Sequence, residues 1–368
     1  MGALLLYGDT ERSAAIRHEV PITIGDPFLY AESEGRSWIM SSSLEGQRLA
    51  ACRPDAELLH SDSSLEEITL ELVSRAAART GIREAIVDFE FPLSVAERLR
   101  ADGIELRVDD PAVTKRRRCK SDHELAGIRR AQLAAEAAMS TAAALLGRAQ
   151  AAGDTLYLDG EPLTADVIRS AMRDTAWERG AVLPSEAIVA SVWQGFGHEP
   201  GSGPLPAGLP IEIDLWPRDE ESGCWADMTR TFMVGKAISD EIARQEQLVL
   251  RALEDTRAAV RPGVTGRDLH AHCCDLFEAE GYRTERTGPG EDPSEGFQFA
   301  LGHGVGLRVH EAPLLGQSGR EPLVPGDVLA VEPGLWRRDV GGVRLEDLLL
   351  VTEDGCEVLT SFPYEMSP

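Results

Sequence analysis

The amino-acid sequence predicts an α/β (α+β) chain in two parts: a smaller leading α/β domain over residues 1–118 and a larger one over residues 119–368. Three observations carry this reading. Short apolar runs alternate with helical patterns through the first hundred-odd residues. The segment Asp109–Lys120 (DDPAVTKRRRCK) then breaks the pattern with two acids, a proline and a basic cluster. Beyond it, the order helix, helix, strands occurs twice between residues 121 and 351, which points to a pseudo-symmetric core.

In the leading part, Ala3–Tyr7, Ser37–Met40, Ala85–Phe89 and Ile104–Val108 read as short strands, and Ser64–Arg79, closed by Gly81, as a helix. The arginine run within Asp109–Lys120 reads as a solvated linker face. Ser121 and Glu124 form a capping box, and alanine-rich helical sequence follows to about Ala151. Further helices cover about Thr164–Arg179, stopped by Gly180, about Ser239–Val260, and Thr265–Glu280, stopped by Gly281. Between them Ala187–Trp193, Leu209–Leu215, Met228–Val234, Asp327–Val331 and Gly342–Val351 read as strands. Two Gly/Pro-rich loops, Gly195–Pro210 and Thr287–Gly296, are longer than simple connectors need, which marks them as functional or mobile.

Composition narrows the function classes. A formal net charge of −25 argues against a nucleic-acid partner. No apolar run is long enough to span a bilayer and no signal sequence follows Met1, so the expectation is a cytoplasmic protein without a membrane partner. The six cysteines include no CxxC pair, and reduced thiols are expected.

The informative stretch is residues 302–314, GHGVGLRVHEAPL. His303 lies among Gly302, Gly304 and Gly306, which permit a tight turn and close approach of another element, and His310 follows seven residues later. Four acids complete a pattern. Asp214 and Asp227 flank a charged turn at Pro217–Gly223, in two alternating segments that read as a hairpin able to present both carboxylates on one side. Glu332 ends an apolar strand, where an unpaired carboxylate is costly. Glu346 reads as a mid-strand residue facing the same way as Arg344, with Leu345 and Asp347 facing the other. Taken singly, each has an ordinary reading as a cap, a solvated acid or a salt bridge. Together, one imidazole and four carboxylates suit two divalent cations, and paired cations suit hydrolysis.

The order Asp214, Asp227, His303, Glu332, Glu346, in the contexts IDLW, ADMTRTF, GHGVGLRVHEAP, VEPGL and VRLEDLLLV, resembles the M24 metallopeptidases, the family of prolidase, aminopeptidase P and methionine aminopeptidase. The resemblance covers residues 121–362 and implies the pita-bread fold. The leading domain resembles the creatinase-type N-terminal domain of the Xaa-Pro branch, and Lys120-Ser121 with Glu124 resembles the opening of that branch's catalytic domain. The family pattern implies that Asp214 chelates the first metal, that His303 and Glu332 bind the second, and that Asp227 and Glu346 bridge both. It implies that Glu332 also moves the proton from water to the leaving amine, that His198 and His310 contact substrate and assist catalysis, and that Arg344 is the arginine beside the last ligand. The activity implied is hydrolysis of N-terminal Xaa-Pro bonds by a metal-bridging hydroxide. The implied cofactor is two divalent ions, Mn2+ first and Co2+ or Zn2+ as alternatives; the partners are a proline-containing peptide and a second copy of the chain.

Three features depart from that pattern. Asp214 and Asp227 are thirteen apart, two more than is usual, an increment that keeps strand parity. Pro217 replaces the small residues usual after the first aspartate. Phe299 stands where Xaa-Pro enzymes commonly carry a histidine, a substrate-side position, and points away from a standard proline site. The alternatives are therefore an M24-fold hydrolase without proline specificity and, less favoured because all five ligands are present, a catalytically silent binding protein.

Overall fold

The computed structural model describes residues 2–60, 69–191, 199–288, 290–292, 295–338 and 340–368. It divides into two compact units, Met1–Arg117 with Glu221–Gly223, and Arg118–Glu220 with Cys224–Pro368.

The first unit is built on a six-stranded sheet in the order Glu57–His60, Arg36–Ser41, Phe28–Ser33, Ala3–Gly8, Glu84–Val87, Glu105–Val108. Ala3–Gly8 is antiparallel to Phe28–Ser33 and parallel to Glu84–Val87. Apolar clusters cover both faces: Leu5 enters one, Leu4 and Leu6 the other. This explains the unbroken Leu4-Leu5-Leu6 run, because a strand buried on both sides has no polar alternate. Glu34 and Gly35, both at positive φ, form the two-residue turn between Phe28–Ser33 and Arg36–Ser41. The expected helix from Ser64 begins at Leu70, with the Thr69 hydroxyl accepting from Leu72 N, and Gly81 closes it in the left-handed conformation.

The arginine run is not a solvated linker. Asp110–Arg118 is a helix. Within the first unit, Arg116 reaches Glu19 at 2.6 Å and Glu32 at 2.8 Å. Within the second, Arg118 is buried and forks onto Asp327, Nε to Oδ1 at 2.9 Å and Nη2 to Oδ2 at 2.6 Å. The acids that receive these cations lie far along the chain, so no local pattern signals their burial.

The second unit repeats one theme. Helices Asp122–Arg148 and Ala165–Glu178 share an apolar cluster with the sheet Ile188–Ser191, Pro210–Leu215, Met228–Met233. Helices Asp240–Ala259 and Gly266–Ala279 do the same with the five-stranded sheet Glu311–Leu315, Gly302–Gly304, Val328–Val331, Asp347–Val351, Cys356–Val358. Caps place the helix starts: Ser121 with Glu124, and Thr265 with Asp268, are reciprocal capping boxes, and Thr164 and Ser239 each accept from the first turn.

The expected single strand Gly342–Val351 is two. Gly341–Arg344 pairs with Gly334–Arg337, whereas Asp347–Val351 joins the five-stranded sheet. At the break, Leu345 N donates to Pro333 O and Glu346 N to Thr229 O. Glu346 therefore stands at the junction, not mid-strand as the sequence pattern predicts, because its amide bonds a different element from its neighbours'. Arg230 marks the far side of the same region. It is fully buried, donating to Asp347 Oδ1 at 3.0 Å and to the carbonyls of Glu346, Phe362 and Pro363.

Asp327→Ala should destabilise the protein by about 3–5 kcal/mol, because it takes a buried carboxylate from a buried guanidinium and leaves Arg118 only exposed Glu321 at 2.9 Å and the Pro322 carbonyl at 2.8 Å. Urea unfolding measures this; a loss below about 1 kcal/mol would show that Glu321 and the Pro322 carbonyl suffice for Arg118.

Candidate metal centre and active site

The first two acids come from one hairpin. Asp214 pairs with Thr229 and Leu215 with Met228, so Asp227, two residues before Thr229, shares the face of Asp214. Parity thus survives the longer spacing. The stretch between the two aspartates includes hairpin arms as well as the turn: Pro217 O accepts from Ala226 N at 3.0 Å and Asp219 N donates to Cys224 O at 2.8 Å. Pro217–Gly223 is therefore not all turn; Pro217 serves the ladder through its carbonyl, and Gly223, at positive φ, closes the turn proper.

His303 lies on the short strand Gly302–Gly304, opposite Ala330 on one side and Leu314 on the other. A Cβ on Gly302 would collide with the Ala330 carbonyl, and one on Gly304 with the Ala312 carbonyl, so both glycines are needed for this crowding. Nδ1 lies 3.1 Å from Gly304 O, which makes Nδ1 the protonated nitrogen and leaves the Nε2 lone pair facing the acids. Burial, and the nearby His310 ring, hold its pKa down at about 3, so the imidazole is neutral, as a ligand must be.

Ligand atoms of Asp227, His303 and Glu346 all lie within 4.8 Å of one another, and the three residues are buried. Nε2 of His303 is 3.7 Å from Asp227 Oδ2 and 3.6 Å from Glu332 Oε1. These separations exceed hydrogen-bond reach. They are slightly wider than the ~3–3.5 Å expected between ligands sharing one ion at ~2.1 Å. Glu346 Oε2 accepts from Thr229 Oγ1 at 2.7 Å. Arg344 gathers the rest: Nη2 contacts Asp214 Oδ2 and lies 3.0 Å from Glu212 Oε1, and Nη1 lies 3.6 Å from Glu332 Oε2. Its own backbone is held by Thr231, whose Oγ1 accepts from Arg344 N and donates to Arg344 O.

The electrostatics call for cations. Burial first, then the neighbouring carboxylates, push Asp227 and Glu346 well above the ordinary carboxylate range, and Glu332 and Glu212 up to about 7. Asp214 Oδ1 is buried with no hydrogen-bond partner. An orphaned carboxylate oxygen among mutually repelling carboxylates, facing a neutral imidazole, fits divalent metal.

His310 is exposed, its ring perpendicular to that of His303 with centroids 4.2 Å apart. Phe299 is half-buried in an aromatic stack, 4.9 Å from Phe297 and 5.3 Å from Trp336. His198 lies outside the described residues. Glu212 and Thr229 escaped the sequence reading. Glu212 carried a signal, since it has the strand parity of Asp214 in the alternating Ile211-Glu212-Ile213-Asp214; Thr229 carried none.

Residues 126–353 match the model of metallopeptidase family M24. The chain belongs to this family. Among M24 relatives, Uncharacterized peptidase YqhT of Bacillus subtilis is 36% identical over 144 residues, 39% of this chain and 37% of YqhT. The Xaa-Pro dipeptidase of Pyrococcus furiosus is 33% identical over 141 residues, 38% of this chain and 37% of that protein. The chain thus matches only a little over a third of the length of these curated relatives. The crystal structure of X-Pro aminopeptidase from Thermotoga maritima superposes with a TM-score of 0.81 at 23% identity, covering 99% of this chain and 97% of that one, and this likeness shows the M24 pita-bread fold. Among the described residues, no helix is long and apolar enough to cross a membrane.

Two outcomes are expected. Calorimetric titration of EDTA-stripped protein with Mn2+ should show tight binding, and His303→Ala should weaken it by about 100-fold or more, beyond the ~10–100-fold typical of outer-shell losses; undiminished affinity would remove His303 from the ligand set. The second concerns pH. Because Glu332 titrates at about 7 in the fold, its contribution to metal-free stability is full below the ordinary carboxylate pKa of 4.5 and is lost as pH rises through about 7. His303, held at about 3, acts in the opposite sense, losing stability as pH falls from 6.5 towards 3. Without metal, Glu332→Gln should therefore gain melting temperature over wild type as pH rises from about 5 to about 8. A pH-independent difference would contradict a raised Glu332.

Proposed function

We propose that this protein is a two-metal exopeptidase that hydrolyses N-terminal Xaa-Pro bonds. The observation that carries the reading is the convergence of Asp227, His303 and Glu346, with Asp214 and Glu332 drawn to the same place by Arg344. Asp214 would hold one ion, His303 and Glu332 the other, with Asp227 and Glu346 shared. Two divalent ions there, Mn2+ first, would polarise the scissile carbonyl and acidify the attacking water.

The chain's own groups account for the rest. The free substrate amine is received on the acidic side of the cluster, near Asp214. Glu332, on the rim of the cluster between His303 and Arg344, takes the proton from water and returns it to the leaving amine. His310, exposed beside His303, donates to the oxygen that gains charge, with His198 assisting. Arg344 and Thr229 orient the ligand carboxylates. Phe299, half-exposed and held edge to face on buried Phe297 and Trp336, offers an apolar face suited to a proline ring. The relative named Xaa-Pro dipeptidase supports the substrate class. Phe299 itself favours a second reading, an M24 hydrolase without proline preference, because a phenyl ring cannot donate the hydrogen bond that a histidine would.

The test is hydrolysis of Xaa-Pro dipeptides and Xaa-Pro-Xaa tripeptides after Mn2+ loading, beside Leu-Gly and Met-Ala peptides. Cleavage of the latter with every Xaa-Pro bond intact would make the second reading the better one. His310→Ala should retain metal while losing turnover by about 100-fold, the scale of a lost positioned donor; a matching loss of metal would make it a ligand or a structural residue. Phe299→His should raise turnover on Xaa-Pro substrates, and a fall would show that the aromatic face is what binds proline.

A further inference from the structure

Glu212 has no part in the ligand set, yet it is buried on the ligand face. Strand Pro210–Leu215 is buried along its whole length, and Glu212 and Asp214, two residues apart, point the same way. Glu212 lies opposite Thr231 as Asp214 lies opposite Thr229. A glutamate buried on this face is costly unless it is compensated. The compensation is Arg344, whose Nη2 lies 3.0 Å from Glu212 Oε1 while also touching Asp214.

The consequence concerns Arg344. A buried guanidinium beside a peptidase site is well suited to receive the free carboxylate of a short peptide, through paired N–H donors. Here Nη2, the nitrogen shared by both bidentate edges of the guanidinium, is already taken by Glu212 and Asp214, while Nη1 lies 3.6 Å from Glu332 and Nε has no partner. Three carboxyl groups crowd one cation, so an approaching carboxylate would find the shared donor occupied. Without Glu212, Nη2 would have one acceptor fewer and be open to an anion.

We propose that Glu212 is a specificity-determining residue: by occupying Arg344 it denies the site a receptor for a terminal carboxylate, so the preferred substrates are peptides of three or more residues or amidated dipeptides. This rests on the exopeptidase reading above and names its substrate class further.

The test compares a dipeptide acid with its amide, Ala-Pro against Ala-Pro amide, on Mn2+-loaded protein. Wild type should turn over the amide at a kcat/KM equal to or above that of the acid. Glu212→Gln, close in shape and without charge, should shift the acid-to-amide ratio about tenfold towards the acid, the scale of one charge-assisted hydrogen bond. Glu212→Asp, which keeps the charge, should leave the ratio near wild type. Calorimetry gives a readout independent of turnover: proline should bind Glu212→Gln about tenfold more tightly than wild type, and prolinamide should not. A tenfold wild-type preference for the acid overturns the proposal without any variant, and so does an unchanged ratio in a Glu212→Gln protein that melts like wild type. If only Leu-Gly is cleaved, the proline reading fails, and Leu-Gly against Leu-Gly amide judges Glu212 separately.

Discussion

Mutual repulsion among carboxylates held out of water is the constraint around which the catalytic unit is arranged. Glu212, Asp214, Asp227 and Glu346 are buried and Glu332 is partly so, and the chain places one guanidinium and one neutral imidazole among them. Arg344 offsets part of the charge by touching Glu212 and Asp214 and approaching Glu332. What it leaves unbalanced shows as carboxyl groups that resist ionisation and as an aspartate oxygen without a partner. Such a cluster is expensive without cations and strongly favourable with them, so metal affinity and fold stability are linked at this site.

Backbone geometry makes that arrangement possible. Two β-branched hydroxyl residues on strand Met228–Met233 act as struts. Thr229 donates to Glu346 from its hydroxyl and accepts Glu346 N on its carbonyl, and Thr231 brackets both backbone polar groups of Arg344. The chain from Arg344 to Asp347 leaves one sheet and enters another, so Arg344 and Glu346 face the acids while Asp347 faces Arg230 and the Tyr364 hydroxyl, 2.6 Å away. One short break therefore separates a reactive charge cluster from a purely structural one.

The aromatic cluster around Phe299 is built from different chemistry. Phe277, Phe297, Phe299 and Trp336 interlock edge to face, and Gly334 and Gly342 leave the room that the Trp336 ring occupies.

Read alone, the sequence was enough for the starts of four helices in the larger unit and for the order of acids and histidines around the glycine-rich turn. These are written locally: caps at Ser121, Thr164, Ser239 and Thr265 lie within three residues of what they bond, and hairpin parity depends only on a period of two. Tertiary structure alone decided partners. The basic run at Arg116–Arg118 reads as solvated until Glu19, Glu32 and Asp327 are brought to it, and Gly342–Val351 reads as one strand until Thr229 and Pro333 claim the amides at its break. The pairing of Glu212 with Arg344 is of the same kind. A local pattern fixes which way a side chain faces; which charge it meets there depends on contacts that lie from 84 to 209 residues away along the chain.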